Sequence, residues 1–206
     1  MNKDPRPRIW VIDDFLPTDY FNQLHSLVMS TDLPWFYGDR QLDKHYNEAN
    51  ESSQNQIDFH FTHIIYGAHE PHSFLWDHVR NITDYLDFHV LWRIKLNLNV
   101  KWSSNITYGL HNDLHRPALA GILYFNTNDG PTVFDSGEKV EAKENRFLVF
   151  DATYLHSGIS HTNTKRRVVM NIVWLPDGDM YSDSFIPVQS KGKMLNLAKQ
   201  QITHVT

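Results

Sequence analysis

The chain has 206 residues, 41% of them hydrophobic and 13% aromatic, enough for one domain with a sizeable core and too apolar for a disordered tail. Net charge is -5 and cysteine is absent, which excludes disulfides, thiolate metal sites and cysteine nucleophiles. No basic stripe suited to phosphates is present, so nucleic acid is not expected as a partner. The N-terminus lacks the apolar stretch of a signal peptide and no run is long enough to span a membrane, so a cytoplasmic location is expected.

In chain order, Arg8 to Asp13 reads as a short strand. Pro17 then opens a helix of about 12–14 residues, with Tyr20, Leu24 and Leu27 on its buried stripe. Leu33-Pro34-Trp35 ends it, and Trp35-Phe36-Tyr37 is expected to pack in the core. Residues 38–57 are polar and irregular, as in a lid or binding loop. Phe59 to Tyr66 is a predicted strand. Ser73 is placed to cap a second helix carrying Leu75, Val79, Ile82 and Leu86 at helical spacing. Both helices should pack on one outer face.

From Trp92 the period changes to two. Ile94, Leu96, Leu98 and Val100 alternate with Arg93, Lys95, Asn97 and Asn99. Strand-like runs follow at Ile106–His111, Leu119–Phe125, Thr132–Asp135, Lys139–Ala142, Arg146–Phe150, Leu155–Ser160 and Arg167–Leu175. About eight short strands at regular spacing make the fold class mainly β with flanking helices, a sandwich or jelly roll. Residues 177–206 form a tail with a weak helix around Met194–Gln201.

The chemistry-bearing residues lie between Tyr108 and Trp174. On a strand, His111 and Asp113 would point to one face. With 13 histidines in the chain, about one His-x-Asp is expected by chance, so the pair alone means little. Its context is His156 after an apolar strand, and Arg167 opening a strand whose same face carries Val169, Asn171 and Val173. An arginine pointing inward needs an anion, and a ligand carboxylate matches its geometry. Two histidines and one carboxylate on one side of a metal are the facial triad of non-haem Fe(II) oxygenases, a set that leaves positions open for a chelating co-substrate and dioxygen.

Several motifs agree with this in order and spacing: His111-Asn112-Asp113, Gly121 to Asn126, Asp129-Gly130-Pro131-Thr132-Val133-Phe134, Asn145-Arg146, His156, and Arg167 to Asn171. Together they resemble the catalytic core of the 2-oxoglutarate/Fe(II)-dependent oxygenases, closest to the prolyl-4-hydroxylase-like branch with its small bacterial and phage members. The resemblance covers about a third of the chain strongly. It implies a double-stranded β-helix, with 1–91 as support and 92–176 as jelly-roll core of one domain. It also implies Fe(II) held by His111, Asp113 and His156, and 2-oxoglutarate anchored by Arg167 and Tyr124. Arg166 takes that role if the register slips by one. The residue two after the arginine, often a hydroxyl residue in this superfamily, is Val169 here. Dioxygen is the other co-substrate, ascorbate an optional reductant, and a peptide, protein or small molecule the substrate.

Other candidates rank lower. His115 precedes Arg116-Pro117, where the strand ends, and His161 sits in a polar loop read as solvent-facing. His60 and His63 read as core-edge residues, with a substrate channel as the alternative. Asn97 and Asn99 share a face that is either solvated or turned into a barrel, the solvated face being the commoner case. Lys165-Arg166-Arg167 is too short a basic run for nucleic acid. Two other classes stay open: a non-catalytic jelly-roll binding module, and a cupin-type metalloenzyme that does not use 2-oxoglutarate.

Overall fold

The computed structural model describes residues 8–38, 59–182, 185, 187–188 and the backbone of 202–204. The proposed lid at 38–57, apart from Gly38, and the weak helix at 194–201 lie outside the described residues.

The chain opens with β1 (Ile9–Ile12), followed by α1 (Thr18–Val28), β2 (Phe36–Gly38), β3 (His60–Gly67) and β4 (Glu70–Pro71). A short α2 (Trp76–Val79) continues as a 3-10 helix over Arg80–Tyr85. Next come β5 (Val90–Val100), β6 (Leu119–Tyr124), β7 (Thr132–Phe134), β8 (Lys139–Val140), β9 (Phe147–Asp151), β10 (His156–Gly158), β11 (Arg166–Leu175) and β12 (Ile202–His204). All pairings are antiparallel. Among the described residues a large sheet runs β12-β1-β9-β6-β11-β5-β3-β2, with β4 beside β3. A small sheet runs β10-β7-β8. Two sheets of this kind make the mainly-β jelly roll expected from the strand spacing.

The period-2 pattern of β11 sorts its residues as predicted. Val168, Met170, Ile172 and Trp174 face the main core, which also takes Ile94 and Leu96 of β5 and Leu119 and Leu123 of β6. Both helices cover this face, through Phe21, Leu24 and Val28 of α1 and through Leu75, Val79, Ile82 and Leu86. Tyr20 and Leu27, expected on the α1 stripe, are only partly buried, because the stripe in contact is rotated by one residue onto Phe21 and Val28. Close approach is built in at Gly121. A Cβ there would stand 2.4 Å from the Phe147 ring and 3.1 Å from that of Trp174. A second apolar cluster fills the space between the sheets, with Ala120, Ile122, Tyr124, Phe134, Leu148, Phe150 and Val169.

Two predicted elements differ. Ile106–His111 is not a strand. It runs beside the 156–160 segment with isolated bridges, Thr107 to Ile159 and His111 to His156, rather than a continuous ladder. Trp35 is partly buried against the core, but Phe36 and Tyr37 are each 64% exposed. They lie on β2, the edge strand of the large sheet. No described helix is long and apolar enough to cross a membrane.

Candidate metal and co-substrate site

The face of the large sheet opposite the helices carries the polar half of each alternating strand. Register aligns these residues in rows. Arg167 of β11 pairs with Asn99 of β5; Val169 pairs with Asn97 and with Tyr124 of β6; Asn171 pairs with Lys95 and Ile122. Above these rows the small sheet brings His156. Together they line a cavity of about 80 Å³, which also receives His60, Tyr108, His111, Asp113, Thr132 and Gly158. Asn97 and Asn99 therefore face the cavity, contrary to the solvated reading. An internal polar wall and a wetted one produce the same alternation.

His156 is held first by its surroundings. It is 3% exposed, with its ring edge-on to Phe150 at 4.6 Å. Its Nδ1 stands 3.1 Å from the Tyr154 carbonyl oxygen, which can only accept. The proton therefore belongs on Nδ1, and Nε2 keeps a lone pair available for a metal. His111 joins it through paired backbone hydrogen bonds, 2.9 and 2.8 Å, which bring the two rings to 4.4 Å. Burial, then the neighbouring His156, pushes the His111 pKa down to about 4, so the ring is neutral at pH 7. A metal needs that state.

Asp113 arrives from a loop rather than a strand pleat. Its backbone N–H and that of Leu114 both donate to the Ala152 carbonyl, at 3.0 and 3.1 Å. The carboxylate is 7% exposed, with Oδ2 3.7 Å from His156 Nε2. Burial works against its ionisation. The charges of His156, Arg93 and His111, with a hydrogen bond from Asn171, outweigh burial and hold its pKa below the usual carboxylate value.

Two imidazoles and an ionised carboxylate suit a borderline divalent metal such as Fe(II). The set is open. Cis donors on an octahedral ion with bonds near 2.1 Å lie about 3 Å apart, and no group of three such residues among the described residues is spaced as an assembled metal site. The donor types fit; the side chains have to close inward to grip an ion.

The other end of the cavity is built around Arg167, which is 5% exposed. Its Nε donates to the Gly130 carbonyl at 3.0 Å, and a terminal nitrogen lies 3.4 Å from Thr132 Oγ1. The guanidinium carbon is 5.5 Å from the centre of the Tyr124 ring, whose hydroxyl bonds Thr132 Oγ1 at 2.7 Å. No carboxylate among the described residues pairs with Arg167. Burial lowers its pKa and raises that of Tyr124. Gly130 is needed for this approach, since a Cβ would meet the Ile159 carbonyl at 2.6 Å. Thr132 brings to this end the hydroxyl that Val169 lacks. Arg166 points elsewhere, donating to the Met29 carbonyl at the end of α1.

The remaining histidines divide. His63 is structural, bonded to the Pro34 carbonyl at 2.8 Å and to Ser73 Oγ at 2.6 Å. His60 lines the cavity, and burial, then Lys95, brings its pKa down to about 4. His161, read from sequence as solvent-facing, is fully buried beside Gly130. Its loop folds inward because Asp129 accepts hydrogen bonds from the Thr162 backbone and hydroxyl, at 2.7 and 2.5 Å. His115 is exposed. Sequence reasoning missed Arg93, which donates to Asp113 Oδ1 at 2.7 Å and to Asn171 Oδ1 at 2.8 Å. A basic residue on the polar face of a strand gives no sign of its partner.

No protein-family model matches the chain, and no curated protein matches it in sequence. Solved structures do match in shape. The α-ketoglutarate-dependent epimerase SnoN of nogalamycin biosynthesis aligns over 92% of this chain and 89% of its own, at 10% identity and a TM-score of 0.58. A prolyl hydroxylase from Trichoplax adhaerens, solved with a hypoxia-inducible-factor peptide fragment, aligns over 81% and 83%, at 13% identity and a TM-score of 0.56. A Pseudomonas putida prolyl-4-hydroxylase aligns over 82% and 93%, at 13% identity and a TM-score of 0.53. At such identities the likeness is one of fold. The chain has the jelly-roll fold of the 2-oxoglutarate/Fe(II) oxygenases, prolyl hydroxylases among them, over nearly the full length of each.

Proposed function

We propose that this chain is an Fe(II)- and 2-oxoglutarate-dependent dioxygenase that hydroxylates an unactivated C–H bond, with succinate and carbon dioxide as co-products. One observation carries the reading: two imidazoles, a carboxylate held ionised and a buried arginine with no counter-charge among the described residues share one cavity.

His111, Asp113 and His156 would hold the metal. The bound iron would supply the activation of dioxygen and the chelation of the keto acid. Arg167 would pair with the distal carboxylate of 2-oxoglutarate, with the Tyr124 and Thr132 hydroxyls beside it. A dianion gives the buried guanidinium the partner it lacks and draws binding energy from a site already emptied of bulk water. The activities of the structural neighbours, an α-ketoglutarate-dependent epimerase and a prolyl-4-hydroxylase, support this reading. Residues 1–176 would form the catalytic unit, with 1–91 supporting the core at 92–176.

The wall along β5 and β3 would receive the primary substrate. It offers Lys95, Asn97, Asn99 and a neutral His60. His60 Nδ1 and Asn97 Oδ1 are buried and have no hydrogen-bond partner among the described residues. Buried polar atoms left in this state call for a ligand group or a water. The substrate is thus a polar one that can hydrogen-bond, such as a prolyl residue in a peptide or a hydroxylated small molecule.

The test is succinate formation from 2-oxoglutarate with Fe(II), for wild type and Asp113→Ala, together with the visible absorption of the iron–keto-acid chelate. The reading expects both signals in wild type and neither in the variant. Wild type showing neither would sink it. The open spacing of the donors favours one second reading, a jelly-roll module that binds a keto acid through Arg167 without turnover. Binding of 2-oxoglutarate by wild type in the absence of metal, with no succinate when metal is added, would select that alternative.

A further inference from the structure

We propose that Arg93 is a positioning residue for metal capture: with Asn171 it orients the Asp113 carboxylate, holding Oδ1 on the guanidinium and presenting Oδ2 to the metal. This rests on the reading of Asp113 as a metal ligand.

The geometry is a closed triangle. One Arg93 terminal nitrogen donates to Asp113 Oδ1 at 2.7 Å and to Asn171 Oδ1 at 2.8 Å. Asn171 Nδ2 then donates to Asp113 Oδ2 at 3.0 Å. The order of these bonds matters. An amide can face a carboxylate productively only through its nitrogen, and Arg93 enforces that orientation by occupying the amide oxygen. The two carboxylate oxygens become inequivalent: Oδ1 bears the cation, and Oδ2 stands on the side of His156.

The strand is shaped for this. A bulge in β5 against Val173 and Trp174 inserts Trp92 between Leu91 and Arg93. Leu91 can therefore turn into the main core while Arg93 faces the site. Trp92 takes the Arg116 guanidinium over its ring at 4.5 Å, tying down the segment that follows Asp113. The Arg93 side chain is 30% exposed, yet its Nε is buried without a partner. The terminal nitrogen's two bonds hold it there, as in an aimed contact rather than a loose surface pair.

An ion pair that only fastened the 111–116 segment to the sheet would affect stability alone. A positioning residue affects metal affinity, and loss of such outer contacts typically weakens metal binding about 10–100-fold. The experiment is titration of the full chain with Co(II), followed by its d–d absorption, with melting temperature recorded for each protein. Wild type should bind and Asp113→Ala should not. Arg93→Met should weaken binding by at least about tenfold while still folded. Arg93→Lys should not restore it, because an ammonium on a shorter stem cannot bridge both acceptors. Asn171→Ala, which keeps the charge, should weaken binding as well and carries the test if Arg93→Met fails to fold. A folded Arg93→Met, or failing that Asn171→Ala, that binds Co(II) within about twofold of wild type overturns the proposal and leaves the metal reading standing. Wild type that binds no Co(II) overturns the metal reading itself, and the proposal with it.

Discussion

Arg167 lines the cavity and Arg93, on the neighbouring strand, bonds two residues that line it, yet the fold treats the two arginines differently. Arg93 sits on a carboxylate. Arg167 is deeper, and its polar neighbours are a carbonyl, a hydroxyl and the face of a tyrosine ring, all neutral. Burying a guanidinium without an anion is costly, and neutral acceptors recover only part of that cost. The charge of Arg93 is therefore answered within the protein, whereas that of Arg167 has no answer among the described residues and is the one a ligand anion would complement. A third arginine, Arg146, extends the contrast. It forks onto Asp13 at 2.6 and 3.1 Å, far from the cavity, and ties β1 to the start of β9.

The largest effect expected from this contrast is at Arg167. Arg167→Met should raise KM for 2-oxoglutarate by about 100-fold or more, as expected for losing a charge-assisted pair. It should leave the melting temperature unchanged or higher, because the cation is buried with only neutral acceptors and, among the described residues, no counter-charge to lose. Steady-state kinetics and calorimetry on one preparation check both. A lower melting temperature with an unchanged KM would assign Arg167 to the architecture instead.

Asp13→Asn should do the reverse, leaving KM unchanged and lowering stability by about 1–2 kcal/mol, the value of a charged hydrogen-bonded pair reduced for partial exposure. The hydrogen bond from Arg146 holds the Asp13 pKa below its ordinary value. Its contribution is complete above the unfolded carboxylate pKa of about 3.9 and is lost as pH falls through the lower folded value. Urea unfolding of wild type and variant should differ fully at pH 6 and converge towards pH 2. A gap that persists at low pH would mean that packing, not charge, is at work.

The smallest effect is expected at Arg166. Arg166→Ala removes a hydrogen bond to the Met29 carbonyl. It should cost about 1 kcal/mol or less and leave KM for 2-oxoglutarate within about twofold. A large rise in KM here would transfer the anchoring role from Arg167 to its neighbour.

The contrast was only partly legible in the sequence. Alternation along β11 placed Arg167 and Asn171 on one face and Val168, Met170, Ile172 and Trp174 on the other, because a two-sided sheet enforces period two. His111, Asp113 and His156 could be brought together on paper by order and spacing, and the structure puts all three around one cavity. The means differed, since Asp113 is set by hydrogen bonds to Ala152 rather than by a strand. What stayed hidden was long-range pairing. Arg93 lies 20 residues from Asp113 and 78 from Asn171, and no local pattern links them. Polarity misled in both directions: His161 looks solvated and is buried, whereas Phe36 and Tyr37 look like core and are exposed.

The large sheet's far border has a consequence of its own. Ile202–His204 lies antiparallel along β1, pairing Trp10 with His204 and Ile12 with Ile202. Without that strip, β1 would be the outermost strand of the sheet, a short apolar ribbon with its amide and carbonyl groups unclaimed. Such borders recruit other chains. Ile202–His204 thus works as a selvedge, and removing it should leave β1 open to pairing with another chain.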